Sequence, residues 1–443
     1  MQNPRRTTNY TLKKFFLYKI NGGILLMIVA LLAMCAANSP WHNFYNDIWV
    51  YPISLQIGNF NLFSHHGSPL SLSAFINDGL MAIFFFLVGL EIKRELLVGE
   101  LSSVKKASLP VLVAAGGMLV PVLVYYLFAH QHPASTGVAI PMATDIAFSL
   151  GIISLLGNRV PLGLKIFLTA FAVVDDIGGI LVIAMGYTAH IDSISLLIGF
   201  AFIATLAAFN YWGVMTKSIY ILFGIATWYF FLQSGIHSTI AGVLVAFTIP
   251  AHPRLDVKKY VDRARECISL FDAQNIQKNV ISNKQIQILK DMEEYSDRVI
   301  SPLQYFEDKL QIPVNYFIMP LFAFANAGVY LGGNEEMIGI VTWATAFGLI
   351  VGKFVGLFSF TWIFTKLGIV ALPNAANWKS IAGICMLGGV GFTVSLFIAN
   401  LSFAKNYPEL LSQAKVGILI GTLVSGIAGY LILNKVLPKP VKK

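Results

Sequence analysis

Long apolar blocks dominate this chain of 443 residues and limit what it can fold into. The blocks run to about 15–25 residues, the length that an α-helix needs to cross a hydrocarbon core about 30 Å thick. Hydrophobic residues make up 56% of the chain and charged residues only 12%, whereas soluble proteins carry about 25% charged residues. These features exclude a soluble globular protein and a disordered chain, and they predict a polytopic membrane protein.

The apolar blocks and the polar residues between them predict an all-α membrane protein with about twelve transmembrane helices. The first block also resembles a cleavable signal peptide, but the small-residue pattern at its end fits a cleavage site poorly, and we expect a span there. The predicted spans are residues 20–38, 74–94, 108–129, 136–156, 162–187, 193–211, 217–232, 236–250, 313–331, 340–365, 380–402 and 412–435.

The positions of lysine and arginine predict the orientation of the chain in the membrane. With the N-terminus inside, all but three of the 31 basic residues fall in inner segments, and the exceptions are Lys353, Lys405 and Lys415. Because basic residues concentrate in cytoplasmic loops, we expect an even number of spans and both termini in the cytoplasm. The formal net charge of +9 reflects this bias, so we expect no nucleic-acid partner.

Two soluble segments interrupt the apolar pattern. Residues 45–65 alternate apolar and polar side chains around Gly58 and Asn59, which predicts a small external β-hairpin. It is either a capping loop or an exposed edge for dimer contact. Residues 254–312 are polar and have a helical pattern, which predicts a cytoplasmic helical hairpin that is either a solvated connector or a regulatory element.

Ionisable side chains inside the predicted spans are few, and each suggests a functional site because a charge in the bilayer is costly. Near mid-depth the acids outnumber the bases, which favours a cation site over an anion site; a structural network of ion pairs is the alternative. The side chains concerned are Asp78, Glu91, Asp145, Asp175, Asp176, His237 and Lys353.

The adjacent pair Asp175 and Asp176 is the sharpest of these features. Successive helix residues point about 100° apart, so one carboxylate can face a cavity while its neighbour faces another helix. A buried carboxylate can hold a proton or a hard cation such as Na⁺ or Li⁺, but not both. Competition of this kind is sufficient for cation/proton exchange. The three cysteines are far apart, and no His/Cys cluster suggests a softer metal.

Two spans are expected to be broken helices. Pro141 lies in the middle of 136–156 and removes a backbone donor, while Gly388, Gly389 and Gly391 weaken 380–402, although such glycines also permit close helix packing. Both breaks fall in the middle span of a three-span unit, 108–187 and 340–435. Interrupted spans at corresponding positions of two repeats indicate a transporter's binding site, and here the repeats would be inverted.

Crossed broken helices bring opposite half-helix dipole ends together at mid-membrane. Asp145 can then offset the positive N-terminal ends, and Lys353 the negative C-terminal ends. Lys353 could instead pair with Asp175 and carry a transported proton. His237 is either a hydrogen-bonded structural residue or a pH sensor. The cluster that contains Glu91, Arg94 and Glu95 is either an interfacial anchor or a titrating funnel.

Several long motifs resemble the NhaA-type sodium/proton antiporters of bacterial inner membranes. They are NDGLMAIFFFLVGLEIKREL, AIPMATDIAFSLGIISLLG, LKIFLTAFAVVDDIGGI, PLFAFANAGV and GGVGFTVSLFIANLSF, in that order across nearly the whole chain. The resemblance implies electrogenic exchange of one Na⁺ or Li⁺ for two protons by alternating access, without a cofactor. It also implies a homodimer in the lipid bilayer, joined through the external hairpin.

The resemblance assigns roles to residues by motif match. Asp175 and Asp176 match the ion-binding pair, Thr144 and Asp145 the crossing of the broken helices, and Lys353 the lysine that pairs with Asp175. The positions linked to access and pH response are Asp78, Glu91, Arg94, Glu95, His237 and Glu307. The chain departs from the family's pattern in three ways: an insertion at about 254–300, a changed spacing between Glu307 and Pro313, and Gln304 where a lysine is expected.

Other classes of protein fit less well. An intramembrane aspartyl protease needs its two aspartates on separate helices, and a P-loop, nucleotide fingerprint or nucleophile elbow is missing, so we expect no enzyme. A passive channel would lack competition between proton and cation. The closest alternative is a sodium-coupled symporter for an organic anion on a related inverted-repeat fold, but only Lys353 could bind the anion.

Overall fold

The computed structural model describes most of the chain. The described residues are 22–57, 60–61, 63–65, 68–186, 191–253, 255–271, 281–330, 332, 337–373 and 376–438. They fold into an almost entirely helical protein with a small patch of β-structure near the N-terminal end.

The first nine helices precede the predicted cytoplasmic segment. In chain order they are α1 (Gly22–Ala37), α2 (His42–Val50), α3 (Leu72–Val98), α4 (Val104–Phe128), α5 (Ile146–Leu155), α6 (Leu162–Gly186), α7 (Ser193–Tyr211), α8 (Lys217–Ser234) and α9 (Ser238–Thr248). Three short 3₁₀ segments flank α5: Ala134–Gly137, Ile140–Met142 and Gly157–Arg159.

The remaining eight helices lie within that segment or follow it. They are α10 (Val257–Leu270), α11 (Asn283–Val299), α12 (Pro302–Pro313), α13 (Met319–Asn326), α14 (Ile340–Lys366), α15 (Trp378–Leu387), α16 (Phe392–Phe403) and α17 (Pro408–Val436). Among the described residues, three π-helical turns occur: Phe75–Leu80 in α3, Val314–Ile318 between α12 and α13, and Gly348–Gly352 in α14. Such turns are rare and concentrate at functional sites.

Up to nine candidate spans occur in the described part of the chain. Six are the continuous helices α3, α4, α6, α7, α14 and α17. Three more are bent pairs, in which the two helices meet at 110° (α1 with α2), 46° (Ala134–Met142 with α5) and 41° (α15 with α16). These helices confirm an all-α membrane protein with broken helix pairs.

The other three predicted spans, 217–232, 236–250 and 313–331, are helical over most of their length. They do not qualify as continuous spans by length and hydropathy. Ser238–Thr248, for example, has 11 residues and is about 16 Å long at 1.5 Å per residue, too short to cross the bilayer alone. The total of twelve spans therefore stays a prediction.

The predicted hairpin is present in the expected place. Strand β2 (Gln56–Ile57) pairs antiparallel with β3 (Phe60–Asn61), and β1 (Pro52–Ile53), β5 (Ser68–Ser71) and β4 (Ser64–His65) form a second small sheet in that order. The predicted turn at Gly58 and Asn59 lies outside the described residues. The start of the predicted hairpin is wrong, because residues 45–50 belong to helix α2.

Helix α2 forms because its aromatic side chains share one face. Tyr45 and Trp49 are four residues apart, and both rings pack edge-on against Phe324, with centroids 5.5 and 5.9 Å away. The Tyr45 hydroxyl also donates to the carbonyl oxygen of Phe324 at 2.6 Å. These two rings would also lie on one face of a β-strand, so the sequence pattern does not distinguish helix from strand here. The packing against Phe324 favours the helix.

The predicted helical insertion contains α10 and α11, which pack against each other. Helix α11 begins with a capping box, in which Ser282 and Gln285 satisfy each other's backbone N–H groups. The cytoplasmic location of this helical pair stays a prediction.

The two predicted repeats contact each other closely. Helices α4 and α14 approach through Gly116 and Gly356, and a Cβ on Gly116 would lie 2.5 Å from the carbonyl oxygen of Gly356. At the far end of α5, the guanidinium of Arg159 donates to the carbonyl oxygens of Asn434, Leu437 and Pro438 at 2.7–3.0 Å. Because carbonyls at a helix C-terminus lack intrahelical partners, Arg159 ties the end of α17 to the first repeat.

Candidate functional site

The first predicted helix break is present after Pro141. The 3₁₀ turn Ile140–Met142 ends at Ala143, whose ψ of 147° is extended, and the helix resumes at Ile146. The second break separates α15 from α16 at residues 388–391, where the glycines weaken the helix. The structure therefore confirms two broken helices at the positions that the sequence indicated.

The two breaks bind each other. The backbone N–H of Asp145 donates to the carbonyl oxygen of Val390 at 2.7 Å. The hydroxyls of Ser149 and Ser395 donate across the crossing, to the carbonyl oxygens of Leu387 at 3.0 Å and Ile140 at 2.7 Å. Backbone groups freed by each break are thus satisfied by the other chain segment, as irregular backbone inside a membrane requires.

Asp145 is buried at the crossing and accepts hydrogen bonds from two helix N-termini. Its Oδ1 accepts from the backbone N–H of Phe148 in α5 at 2.9 Å. Its Oδ2 accepts from the backbone N–H of Thr393 at 3.1 Å and from the Thr393 hydroxyl at 2.5 Å. A carboxylate placed here compensates the positive ends of both helix dipoles, which is the location predicted for Asp145.

Lys353 is fully buried and lies on the other side of the crossing. Its ammonium donates to the carbonyl oxygen of Met142, at the end of the 3₁₀ turn, and to Asp175 Oδ2 at 2.8 Å. The π-helical turn Gly348–Gly352 directly precedes it. Lys353 therefore makes both of the contacts that the sequence suggested as alternatives, one with a helix end and one with Asp175.

Asp175 and Asp176 lie on α6 beside the crossing, and both are buried, with 0% and 7% of their surface exposed. The Thr144 hydroxyl oxygen lies 2.9 Å from Asp175 Oδ2 and 2.9 Å from the carbonyl oxygen of Gly388. The Oδ1 atoms of both aspartates have no hydrogen-bond partner among the described residues. The structure thus brings Thr144, Asp175, Asp176 and Lys353 together.

The residues predicted for access and pH response form two separate groups. In the first, Arg94 forms ion pairs with Glu307 and, at 3.3 Å, with Glu95, and the charges of all three act on Glu91. Glu307 lies outside the predicted spans. Burial raises the pKa of its carboxyl group, while the Arg94 guanidinium opposes this rise.

The second group lies toward the other end of α3. Asp78 belongs to the π-helical turn Phe75–Leu80, and its carbonyl oxygen accepts from the Trp228 indole at 3.0 Å and the Ser238 hydroxyl at 3.1 Å. His237 immediately precedes Ser238 at the start of α9. Thirteen residues separate Asp78 from Glu91, about 20 Å along the helix, so the two groups face different ends of α3.

Sequence reasoning missed the hydroxyl groups that hold the crossing together. Thr393, Ser149 and Ser395 all bind across the two breaks. The only local signal is that Thr393 and Ser395 directly follow the glycine-rich break in GGVGFTVS. In the described part of the chain, no group of three or more His, Cys, Asp or Glu side chains is arranged to hold a metal ion.

Crossed helix breaks, buried carboxylates and a buried ammonium inside a bundle of apolar helices define a membrane transporter for a small cation. The model of the Na⁺/H⁺ antiporter 1 family matches residues 13–433. The chain belongs to this family of transporters, which confirms the resemblance and the expectation that the protein is not an enzyme.

Individual relatives are similar over nearly their full length. The Na⁺/H⁺ antiporter NhaA of Phocaeicola vulgatus is 56% identical over 435 residues, which cover 97% of each chain. The NhaA of Bacteroides thetaiotaomicron is 55% identical over 98% of this chain and 99% of its own. The NhaA of Parabacteroides distasonis is 47% identical over 98% of both chains.

Proposed function

We propose that this protein exchanges Na⁺ or Li⁺ for protons at Asp175 and Asp176, extruding the cation electrogenically as protons flow inward. The observation that carries the proposal is that both carboxylates are buried, while the Oδ1 atom of each has no partner among the described residues. An uncompensated buried oxygen is costly, and either a proton or a hard cation would satisfy it.

Competition for these oxygens couples the two ions. Two carboxylates and the neighbouring Thr144 hydroxyl supply oxygen ligands of the kind that hard cations prefer. A cation bound between Asp175 and Asp176 would repel the Lys353 ammonium, which lies 2.8 Å from Asp175 Oδ2. The same two carboxylates cannot hold their protons and the cation together, so each cycle moves cation and protons in opposite directions.

The crossing supports alternating access to this site. Asp145 and Lys353 neutralise the ends of the four half-helices, which lets the broken segments shift as a unit without exposing uncompensated dipoles. Arg94 forms ion pairs with both Glu95 and Glu307 next to Glu91. Protonation within this cluster would therefore change access to the ion site. We assign pH regulation to this cluster and an access role at the other end of α3 to Asp78 and His237.

A sodium-coupled anion symporter receives no support from the site. Among the described residues, Lys353 is the cationic side chain at the crossing. Its ammonium is bound to Asp175 and to the Met142 carbonyl. It is therefore not oriented toward an anion.

The decisive experiment measures ΔpH in everted vesicles from an antiporter-deficient host. The vesicles are energised and then receive NaCl, LiCl or KCl. Na⁺ and Li⁺ should collapse ΔpH in the wild type, whereas K⁺ should not. Asp176→Asn should abolish the response, and Asp192→Asn, at an exposed helix cap where Asn is also accepted, should retain it. Near-normal exchange by Asp176→Asn, with both variants inserted equally, would refute the site.

We further propose that the protein resides in the bacterial inner membrane with both termini in the cytoplasm. The distribution of basic residues supports this orientation. A C-terminal alkaline phosphatase fusion should be inactive in whole cells, and a C-terminal green fluorescent protein fusion should be fluorescent. The opposite pair of results would overturn the orientation.

We also propose a homodimer that forms through the hairpin of β2 and β3. The edge of a two-stranded sheet can pair with a second copy, because its outer N–H and C=O groups are unpaired within the sheet. Replacing residues 56–61 by a short glycine linker should convert the dimer into a monomer in native mass spectrometry, with the Na⁺ response of vesicles retained. A variant that stays dimeric would refute this interface.

A further inference from the structure

Three asparagines from three different helices form a chain of amide hydrogen bonds, about two helical turns beyond the crossing along α16. The Asn326 amide of α13 donates to Asn77 Oδ1 of α3 at 3.0 Å, and the Asn400 amide of α16 donates to Asn326 Oδ1 at 3.0 Å. Asn326 is 3% exposed. Each end of the chain is anchored: Asn77 donates to Ser73 Oγ at 3.4 Å, and Asn400 donates to the Leu396 carbonyl at 2.9 Å.

The same three helices form an aromatic layer below the asparagines. The Phe397 ring of α16 lies 5.4 Å from Phe85 of α3 and 6.4 Å from Phe322 of α13, measured between centroids. All three rings are buried. In each helix the phenylalanine is one or two turns closer to the crossing than the asparagine, so the layer separates the amide chain from the crossing.

Both layers lie between the crossing and the predicted outer face. Asn400 is seven residues beyond Thr393, about 10 Å along α16 toward the end at Phe403. Asn326 ends α13, and Asn77 is close to the start of α3. According to the distribution of basic residues, these three helix ends face outward, so both layers lie on the outer side of the crossing.

We propose that Asn77, Asn326 and Asn400 form an outer latch, which holds α16 against α3 and α13 while the site is closed to the outside. The proposal rests on the proposed orientation and exchange function. Helix α16 carries the Thr393 end of the crossing, so movement of the crossing toward an outward-open state pulls Asn400 away from Asn326. Amides do not titrate in the physiological range, and the latch therefore restrains opening equally at every working pH.

The latch is tested by the rate at which a cysteine beneath it reacts from each side of the membrane. Met81 is fully buried, one turn inward from Asn77 on the same face of α3, and Met81→Cys serves as the reporter. The native Cys35, Cys267 and Cys385 are replaced by alanine. Right-side-out and everted vesicles then receive a membrane-impermeant maleimide.

Asn400→Leu should increase labelling from the outside about threefold, the population shift expected from the loss of one hydrogen bond between membrane helices. Labelling from the inside should not increase. Asn77→Ala should give the same one-sided change and provides a second variant if Asn400→Leu fails to insert. Thr205→Ala is the control, since the Thr205 hydroxyl donates to the Ala201 carbonyl within α7.

An unchanged outside rate in both variants, or an equal increase from both sides, would overturn the latch. Sodium-dependent collapse of ΔpH is measured in the same everted preparations. A wild type without exchange would contradict the proposed function whatever the labelling shows, and exchange without one-sided labelling would contradict the latch alone.

Discussion

The Thr393 hydroxyl lies 2.5 Å from Asp145 Oδ2, and the backbone N–H of Thr393 donates to the same oxygen at 3.1 Å. Two residues that are 248 positions apart thus join the two helix breaks. The hydroxyl and the backbone N–H of Thr393 thus hold the same carboxyl oxygen at the start of α16. Thr393 fixes where the Asp145 carboxyl group lies relative to both half-helices.

Thr393→Val should destabilise the protein while preserving its shape. Valine has nearly the same size but leaves Asp145 Oδ2 without the hydroxyl bond, and a hydrogen bond to a charged group contributes about 1.5–3 kcal/mol. Thermal unfolding in detergent should show the loss, and Thr393→Ser should restore most of it. Thr205→Val removes a hydroxyl that bonds only within its own helix and should change the melting temperature less; an equal change would contradict the argument.

Lys353 variants separate a structural role from proton carriage. Lys353→Ala leaves Asp175 and the Met142 carbonyl without their shared donor, and breaking a buried ion pair costs about 3–5 kcal/mol. Lys353→Arg keeps the charge and does not release a proton.

If Lys353 is a counter-charge only, Lys353→Ala should lose more stability than activity, and Lys353→Arg should retain exchange at a melting temperature close to that of the wild type. If it carries a proton, Lys353→Arg should remain folded and lose exchange. Vesicle ΔpH and thermal unfolding of the same variants distinguish these outcomes.

Gly356→Ala should destabilise the contact between α4 and α14. The carbonyl oxygen of Gly116 occupies the space that the new methyl group needs, and overpacking typically costs about 1–3 kcal/mol. Gly186→Ala is the matched control, since a Cβ there meets nothing within 4 Å, and it should be neutral or slightly stabilising. Equal melting temperatures for the two variants would contradict the close approach.

Glu307 should make a pH-dependent contribution to stability. Its pKa is raised in the folded protein, so folding favours the protonated form, and the ionised form lowers stability as the pH rises through the raised pKa. The stability of Glu307→Gln relative to the wild type should therefore be greater at about pH 8 than at about pH 4. The lower value is close to the ordinary pKa of glutamate and the higher value is well above it.

Thermal unfolding in detergent at both pH values measures the difference. Glu294→Gln alters an exposed ion pair with Arg298, which contributes little, and it should show no comparable trend. A Glu307→Gln variant that becomes relatively less stable at the higher pH would reverse the assigned sign.

Structural features that have a local physical cause could be predicted from the sequence. Pro141 cannot donate in a helix, and the glycines after Leu387 disfavour one, so both breaks were predictable. The cost of placing charge in a bilayer singled out Asp175, Asp176 and Lys353 before their contacts were known. The family resemblance then assigned six residues to access and pH response, and the structure brings four of them together: Glu91, Arg94, Glu95 and Glu307.

Features that depend on tertiary contacts were not predictable in this way. Nothing near Thr393 indicates that its partner is Asp145, since a threonine in an apolar helix commonly bonds to its own backbone. The helical state of Trp49 follows from its packing on Phe324 and not from the alternating pattern around it. Asp78 and Glu91 are separated by the length of α3. The motif match assigned both residues to access and gave no sign of this separation.

The direction of the Lys353 side chain depends on the number of residues in the π-helical turn Gly348–Gly352 that precedes it. A π-helical turn contains one residue more than an α-helical turn. Deleting any one residue between 348 and 352 would restore regular α-helix and rotate Lys353 by about 100° relative to Ile340, away from Asp175. A homologue that is one residue shorter here would need its lysine at a displaced position. Alignment register, rather than residue identity, is therefore the quantity to compare across this segment.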